Sequence, residues 1–231
     1  MIKAVFFDLY QTLACYDPPR EEIQAGILGD LGVEVNPETL RRPLAVADEF
    51  IYQELARAPL GKRAEKDKMA LWVEYEAVLL KEAGIAADEP FILRVLARAQ
   101  QIKMKMVPFD DVVPTLTDLK GRGLVLGLIS NVDHDITSML DELGLPSWLQ
   151  VVVTSDDAGA TKPHPEIFQE ALKRAGVKAD EAMYVGDQYQ VDVIGANGVG
   201  MKGVLLDREG YHAEVTDCPR VQSLSELVEH L

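Results

Sequence analysis

Three charged side chains, far apart along the chain, could act together on a phosphate-like substrate. Asp8 follows the largely apolar run of residues 2–7, and a carboxylate in such a place can act as a covalent nucleophile. A second carboxylate, Asp187, would form with Asp8 a hard oxygen pair suited to Mg²⁺. Lys162 could stabilise both the nucleophile and developing negative charge. Together they would suit attack on an anionic substrate.

Hydrogen-bond donors for anionic oxygens accompany these groups. Ser130 can donate its hydroxyl, and backbone amides after Thr12 and near Asn131 can add further donors. Gly186, directly before the second carboxylate, permits a close backbone approach or an unusual turn. Taken singly, a polar residue after a strand is as well explained by a helix cap or a turn. The evidence for a functional site therefore comes from all of these residues together, in their order along the chain.

Short apolar runs predict the strands that would position these side chains. Five runs indicate buried strands, and they cover residues 3–7, 124–130, 151–154, 182–185 and 203–206. Helical patterns separate the later runs; one of them begins at Pro165, which suits a first helical turn, and stops before Gly176. This alternation predicts a parallel sheet covered on both faces. Its carboxyl-terminal edge would bring the polar candidates together.

A long stretch after the first strand interrupts this alternation. Helical patterns cover residues 21–31, 37–56, 66–81 and 89–105, with glycine and proline breaks between them. An all-helical insertion of this length indicates a second domain. We expect an α/β fold with a Rossmann-like parallel-sheet core, formed by residues 1–15 and 108–231. An inserted all-helical cap, residues 16–107, would lie over the strand edge.

Composition and charge restrict the partners. Hydrophobic residues make up 48% of the 231 and charged residues 26%, as in ordinary soluble proteins. No apolar stretch approaches the ~20 residues of a membrane span, and the first residues lack a signal-peptide pattern, so we expect a cytoplasmic protein. The net charge of -15 disfavours nucleic acid and acidic membranes as partners. A small anionic substrate would need local cations.

Four segments resemble, in order, the motifs of the haloacid dehalogenase superfamily of hydrolases, in its subfamily with a helical cap inserted after the first motif. The resemblance covers essentially the whole chain. The segments are DLYQTL at residues 8–13, LISN at 128–131, TKPHPEIF at 161–168 and GDQYQVD at 186–192.

The resemblance implies a role for each matched residue. Asp8 would be the nucleophile, Ser130 a donor to phosphoryl oxygens, and Lys162 the positioning cation. Asp192 resembles the supporting acid of the last motif. The implied Mg²⁺ ligands are Asp8, Tyr10 through its backbone carbonyl, Asp187 and Asp192.

Tyr10 departs from the pattern of phosphatases in this superfamily, which usually carry an aspartate there as general acid and base. A phenol has a reference pKa near ~10 and is a poor substitute. General acid–base help is typically worth ~10²–10⁴-fold. We therefore expect a preference for acyl or aryl phosphates, whose leaving groups need little protonation.

Tyrosine at this position is typical of the metal-free 2-haloacid dehalogenases, in which the aspartate attacks carbon. Dehalogenases resembling this pattern have serine in place of Asp187, asparagine in place of Tyr189 and tyrosine in place of Phe168. A second carboxylate repels an anionic 2-haloacid unless a cation separates them. The sequence thus favours Mg²⁺-dependent phosphatase chemistry through an aspartyl-phosphate. The alternatives are a metal-independent 2-haloacid dehalogenase and a low-turnover binding or regulatory protein; the sequence does not predict the oligomeric state.

Overall fold

The computed structural model describes residues 1–132 and 135–231, which divide into two compact units. The first unit contains residues Met1–Cys15 and Val107–Leu231, and the second contains Tyr16–Met106. None of the helices in the described ranges has the length and hydrophobicity needed to span a bilayer.

A six-stranded parallel sheet forms the centre of the first unit. Its strands are β1 (Ala4–Phe7), β4 (Val125–Ser130), β5 (Val151–Thr154), β6 (Ala182–Gly186), β7 (Lys202–Leu206) and β8 (Arg220–Val221). Their order is β5-β4-β1-β6-β7-β8, and each neighbouring pair is parallel. All four residues of β1 are fully buried, as a central parallel strand requires. The predicted α/β fold with a parallel-sheet core is confirmed.

Helices pack against this sheet in the first unit. They are α5 (Val112–Gly121), α6 (Thr137–Glu142), α7 (Ser155–Ala158), α8 (Pro165–Ala175) and α9 (Ile194–Gly198). Helix α8 has the predicted bounds because Pro165 occupies its first turn and Gly176 ends it in the left-handed conformation, with φ 68°. Its buried residues Phe168 and Ala171 share a core cluster with Tyr184 of β6.

Helices make up most of the second unit. They are α1 (Arg20–Asp30), α2 (Arg41–Arg57), α3 (Glu65–Glu82) and α4 (Glu89–Ala99). These helices enclose a separate hydrophobic cluster, which includes Leu28, Leu44, Leu80 and Val95. The helical character agrees with the sequence pattern, and a capping role for this unit stays a prediction.

Two helices are shorter than the pattern indicates. Asn36 caps a short 3-10 helix over Pro37–Leu40, and α2 begins only after it. Helix α4 ends at Ala99, and Lys105–Pro108 forms strand β3, which pairs with β2 (Ala14–Asp17). The predicted helix over residues 89–105 is therefore too long. Pro108 favours an extended backbone at Val107, because proline disfavours helical conformation in the preceding residue.

Candidate active site

The ends of three adjacent strands place acidic and polar side chains at one edge of the sheet. Asp8 directly follows β1, and its backbone amide donates to the carbonyl of Val185 at 2.9 Å. Ser130 is the last residue of β4, and Asp187 follows the last residue of β6. Because β1 lies between β4 and β6, the parallel sheet brings Asp8 to the same edge as two residues that follow it by more than 120 positions in sequence.

The Lys162 ammonium is the centre of the site. Its side chain is 3% exposed, and Nζ lies 2.6 Å from Oδ1 of Asp8 and 2.7 Å from Oδ1 of Asp192. A third acceptor, the hydroxyl of Tyr184, lies at 2.8 Å. An ammonium group has three protons to donate, so each has an acceptor. The structure thus brings together Lys162 and two of the predicted carboxylates.

Asn131 fixes the loop that carries Lys162. Its Oδ1 accepts from the backbone amide of Lys162 at 2.6 Å, and its Nδ2 donates to the backbone carbonyl of the same residue at 3.1 Å. This paired contact joins the end of β4 to the segment before α8. The side chain of Asn131 therefore positions the lysine backbone, in addition to the backbone donor role predicted for its neighbourhood.

Asp192 lies in a π-helical turn, Tyr189–Val193, that leads into α9. Its carboxylate accepts from Lys162 through Oδ1 and from the backbone amide of Gln188 through Oδ2, the latter at 3.0 Å. The close packing depends on Gly186, because a Cβ there would lie 2.3 Å from Cγ of Asp192. π-turns of this kind are frequent at functional sites.

A group of carboxylates in the described part of the chain has the donor chemistry that Mg²⁺ prefers. Asp8, Asp187 and Asp192 each offer an oxygen, and these oxygens lie within 4.8 Å of one another. The three are not equivalent, because Asp192 is only 1% exposed and accepts hydrogen bonds from the Lys162 ammonium and the Gln188 backbone amide, whereas Asp187 is half-buried. The residues fit a magnesium ion, with Asp8 and Asp187 as the better ligands and Asp192 as their support.

A tight turn follows Asp8, as the sequence predicts. The backbone amides of Leu13 and Ala14 both donate to the carbonyl of Leu9, and Gln11 has a left-handed φ of 59°. Tyr10 is half-buried in this turn, and its hydroxyl accepts from the Gln11 side chain at 3.2 Å.

Thr12 and Ser130 are both buried. The Thr12 hydroxyl lies 3.4 Å from Oδ1 of Asp187, which is a long contact. Gln188 donates to the other oxygen of Asp187 at 2.7 Å. The predicted site residues thus lie within the first unit, on elements that meet at one sheet edge.

Burial and the neighbouring charges set the protonation states. Burial raises the pKa of Asp8 to about 6, the Lys162 charge opposes this rise, and the Asp192 charge adds to it. Burial lowers the pKa of Lys162, but the charges of Asp192 and Asp8 outweigh it, and the net pKa is raised. Burial and the Asp192 charge raise the pKa of Tyr184 well above its usual value. At neutral pH the lysine is therefore charged and the phenol is neutral.

The sequence analysis did not identify Tyr184 or Arg208. Tyr184 stands inside an apolar strand, where an aromatic residue indicates only core packing. A signal did exist, because the hydroxyl of a buried tyrosine usually has a hydrogen-bond partner. Arg208 donates to the carbonyl of Thr12 at 2.9 Å and binds Asp111 through two nitrogens. It thereby holds the turn after the nucleophile candidate.

Comparison with known protein families gives this site its context. The family model described as haloacid dehalogenase-like hydrolase matches residues 2–200. The chain therefore belongs to the haloacid dehalogenase superfamily and is a hydrolase, as its four motifs predict.

Individual relatives cover nearly the whole chain. A glyceraldehyde 3-phosphate phosphatase of Methanopyrus kandleri is 32% identical over 213 residues, which are 91% of this chain and 86% of that protein. A ribulose-1,5-bisphosphate 5-phosphatase of Halopiger xanaduensis is 30% identical over 215 residues, 90% of this chain and 85% of that protein.

Solved structures of both chemical types resemble this chain. A HAD phosphatase from Thermococcus onnurineus is 25% identical, with a TM-score of 0.58 over 99% of this chain and 97% of that one. A 2-haloacid dehalogenase from Pseudomonas syringae is 28% identical, with a TM-score of 0.56 over the same shares. The distinction between the two chemistries therefore depends on the side chains of the site.

Proposed function

We propose that this hydrolase removes the phosphoryl group from a small phosphorylated metabolite through a covalent aspartyl-phosphate on Asp8. The observation that carries the proposal is the position of Asp187, which offers a carboxylate oxygen within 4.8 Å of those of Asp8 and Asp192. Three carboxylates this close repel one another and an anionic substrate. A divalent cation removes that repulsion. Three relatives that match 90% or more of this chain are named as phosphatases, which supports the same reaction class.

Asp8 performs the chemistry in two displacements. First, an oxygen of its carboxylate forms a bond to phosphorus, and the bond from phosphorus to the leaving-group oxygen breaks with its electron pair on that oxygen. Water then attacks phosphorus, its proton passes to solvent, and the bond from phosphorus to Asp8 breaks. Inorganic phosphate and the free carboxylate result.

The surrounding residues orient and stabilise these groups. Lys162 holds Oδ1 of Asp8 at 2.6 Å and offsets negative charge in a buried site, where electrostatic interactions are strong. Ser130 donates to phosphoryl oxygens. The backbone amides after Thr12 do not take the donor role expected from the sequence, because those of Leu13 and Ala14 already donate to the carbonyl of Leu9. Asp8, Asp187 and the backbone carbonyl of Tyr10 would hold Mg²⁺, with Asp192 in support. When bound, the ion would neutralise charge on the phosphoryl group.

Tyr10 restricts the substrates that this site can cleave well. It stands where phosphatases of the superfamily carry the general acid, and a phenol, with a reference pKa near ~10, is a poor substitute for an aspartate. The leaving groups of acyl and aryl phosphates, a carboxylate and a phenolate, depart without that proton. Acyl and aryl phosphates are therefore the preferred substrate class. The net charge of -15 further supports a small substrate in preference to nucleic acid or a membrane surface. The cytoplasmic location stays a prediction.

Metal-free dehalogenation is the second candidate. Tyr10 and the 28% identical dehalogenase structure favour it, whereas Asp187 opposes it. A low-turnover binding protein is a third candidate, supported by Tyr10 and opposed by the buried Asp8–Lys162 pair.

A pair of assays separates these candidates. We expect phosphate release from an aryl phosphate that EDTA abolishes and added Mg²⁺ restores, and no halide release from a 2-haloacid. Asp187→Ser should remove the phosphatase activity, and Asp8→Asn is the inactive control. Halide release that is indifferent to EDTA would overturn the proposal in favour of the second candidate. Tight binding of a ligand without turnover of either substrate would favour the third.

A further inference from the structure

We infer that the Tyr184 hydroxyl is a positioning group that aligns the Lys162 ammonium on Asp8, an inference that rests on the proposed function of this site. Tyr184 touches neither substrate nor metal in this account. It acts through the lysine.

The geometry leaves the lysine one proton that only Tyr184 receives. Asp8 and Asp192 accept two of the three N–H groups, and the phenol oxygen accepts the third at 2.8 Å. That oxygen also lies 3.1 Å from Oδ1 of Asp192 and 3.2 Å from the carbonyl of Ile129. Because the phenol accepts from the lysine, its single proton goes to one of these two oxygens. The hydroxyl thus links the lysine to the Asp192 carboxylate or to the backbone of β4.

The ring and the hydroxyl of Tyr184 have separate contacts. The ring packs edge-on against Phe168, with centroids 5.3 Å apart, inside the core cluster of the first unit. A phenylalanine would make this contact equally well. The hydroxyl is fully buried with its residue, and a buried hydroxyl costs stability unless it is hydrogen-bonded. The ring of Tyr184 therefore serves core packing, and its hydroxyl serves the hydrogen bond with Lys162.

During the reaction, the Tyr184 hydroxyl would keep the Lys162 ammonium directed at Asp8. Lysine is a point charge on a flexible stem, and Asp8 and Asp192 compete for it from two sides. Once Asp8 carries a phosphoryl group, its negative charge lies on the phosphoryl oxygens and no longer on the carboxylate oxygen that Lys162 contacts, while Asp192 keeps its own charge. The phenol holds the ammonium in place through this change. Without it, the lysine is free to turn toward Asp192 and away from the reacting oxygen.

Tyr184→Phe tests the inference, because it keeps the ring and removes one atom. A hydrogen bond to a charged group and the alignment it provides predict a fall in kcat of about 10-fold to 100-fold, with KM changed by less than about twofold. Tyr75→Phe is the matched control. It also removes a hydroxyl, one that donates to Asp48 at 3.0 Å in the helical unit, and should keep kcat within about twofold.

The measurement is steady-state kinetics at saturating Mg²⁺, together with the unfolding midpoint of each variant. Equal kcat for Tyr184→Phe and wild type overturns the inference. So does a loss of activity that is fully explained by a smaller fraction of folded protein under the assay conditions. If Tyr184→Phe does not fold, Tyr184→Met is measured; failure of both to fold means that the hydroxyl serves the core and overturns the inference.

The wild-type rate and the variant ratio answer different questions. Phosphate release by wild type tests the proposed function, and the ratio of variant to wild type tests Tyr184. If wild type releases halide instead, the proposed function fails, but the ratio is still measured on halide release because Asp8 is the nucleophile there too. Turnover of neither substrate overturns both.

Discussion

Gly186 and Asp192 pack so closely that a Cβ on residue 186 would lie 2.3 Å from Cγ and Oδ2 of Asp192. Real Cβ atoms essentially never approach another heavy atom more closely than 3.0 Å. The contact joins the end of strand β6 to the carboxylate that accepts a hydrogen bond from Lys162. The absence of a side chain at position 186 is therefore part of how the lysine is placed.

Gly186→Ala should displace Asp192 and, through it, Lys162. Misplacement of a reacting group by about 1 Å can cost ~10²-fold in rate, and overpacking of this kind typically costs ~1–3 kcal/mol of stability. We expect kcat to fall by about 100-fold, measured with an aryl phosphate. Gly198→Ala is the control, since a Cβ there meets nothing within 4 Å. It should keep the wild-type kcat, and alanine in a helix should raise the free energy of unfolding by up to ~1 kcal/mol. Full activity of Gly186→Ala would show that the contact is unimportant.

Lys162→Met, alone and combined with Asp192→Asn, should distinguish the contribution of the lysine to stability from its contribution to activity. Removing the cation leaves Asp8 and Asp192 buried without their partner, and breaking a buried ion pair costs about 3–5 kcal/mol. We expect a large loss of stability in urea and loss of activity. The double variant Lys162→Met/Asp192→Asn removes one of the stranded charges, so it should regain part of the stability and none of the activity. Recovered turnover in the double variant would contradict the role of the lysine.

Tyr10→Asp restores a carboxylate where superfamily phosphatases carry their general acid. General acid–base catalysis contributes ~10²–10⁴-fold, so activity on alkyl phosphates should rise by at least about 10-fold, with less effect on aryl phosphates. Tyr10→Phe serves as the control and should behave as wild type, because the phenol is not the acid. If folded Tyr10→Asp gains nothing on alkyl phosphates, the missing-acid explanation is wrong.

Glu76 in the helical unit should make stability depend on pH. Burial raises its pKa from the ordinary 4.5 to about 7, although hydrogen bonding from Gln24 and the charge of Arg20 oppose the rise. The folded state therefore holds a proton that the unfolded state releases above pH 4.5. This stabilisation is complete below that pH and is lost as pH rises through about 7.

The size of this effect follows from linkage. Between about pH 5.5 and about pH 8, the free energy of unfolding should fall by about 2 kcal/mol on account of Glu76. Glu76→Gln should remove that part of the slope, because its amide does not titrate. The measurement is urea unfolding of both proteins at the two pH values, and parallel slopes would refute the assignment.

The sheet could be predicted from sequence because its strands are continuous apolar runs bounded by turns. The predicted and observed bounds of the five predicted strands differ by one residue at most, and the polar residues at the ends of β1, β4 and β6 meet as expected. The two-residue strand β8 has no such pattern, since its position is set by pairing with β7. Strand β3 was missed because its charged and apolar residues also fit a helix.

Within the site, sequence identifies residues whose type carries the chemistry and misses those that act through packing. Asp8, Lys162 and Asp187 could be identified because carboxylates and a lysine at strand ends are informative. Tyr184 could not, because strand periodicity does not reveal whether a buried phenol faces a lysine. Arg208 reaches Thr12 across 196 positions, a contact that only the folded sheet creates.

We expect Asp8 to carry the phosphoryl group during turnover. Enzyme mixed with an aryl phosphate and Mg²⁺, quenched in acid within one turnover and digested, should yield a phosphorylated peptide that contains Asp8. The modification should be absent from Asp8→Asn and from EDTA-treated wild type. A phosphoryl group on another residue, or phosphate release with no modified peptide at any quench time, would contradict the account.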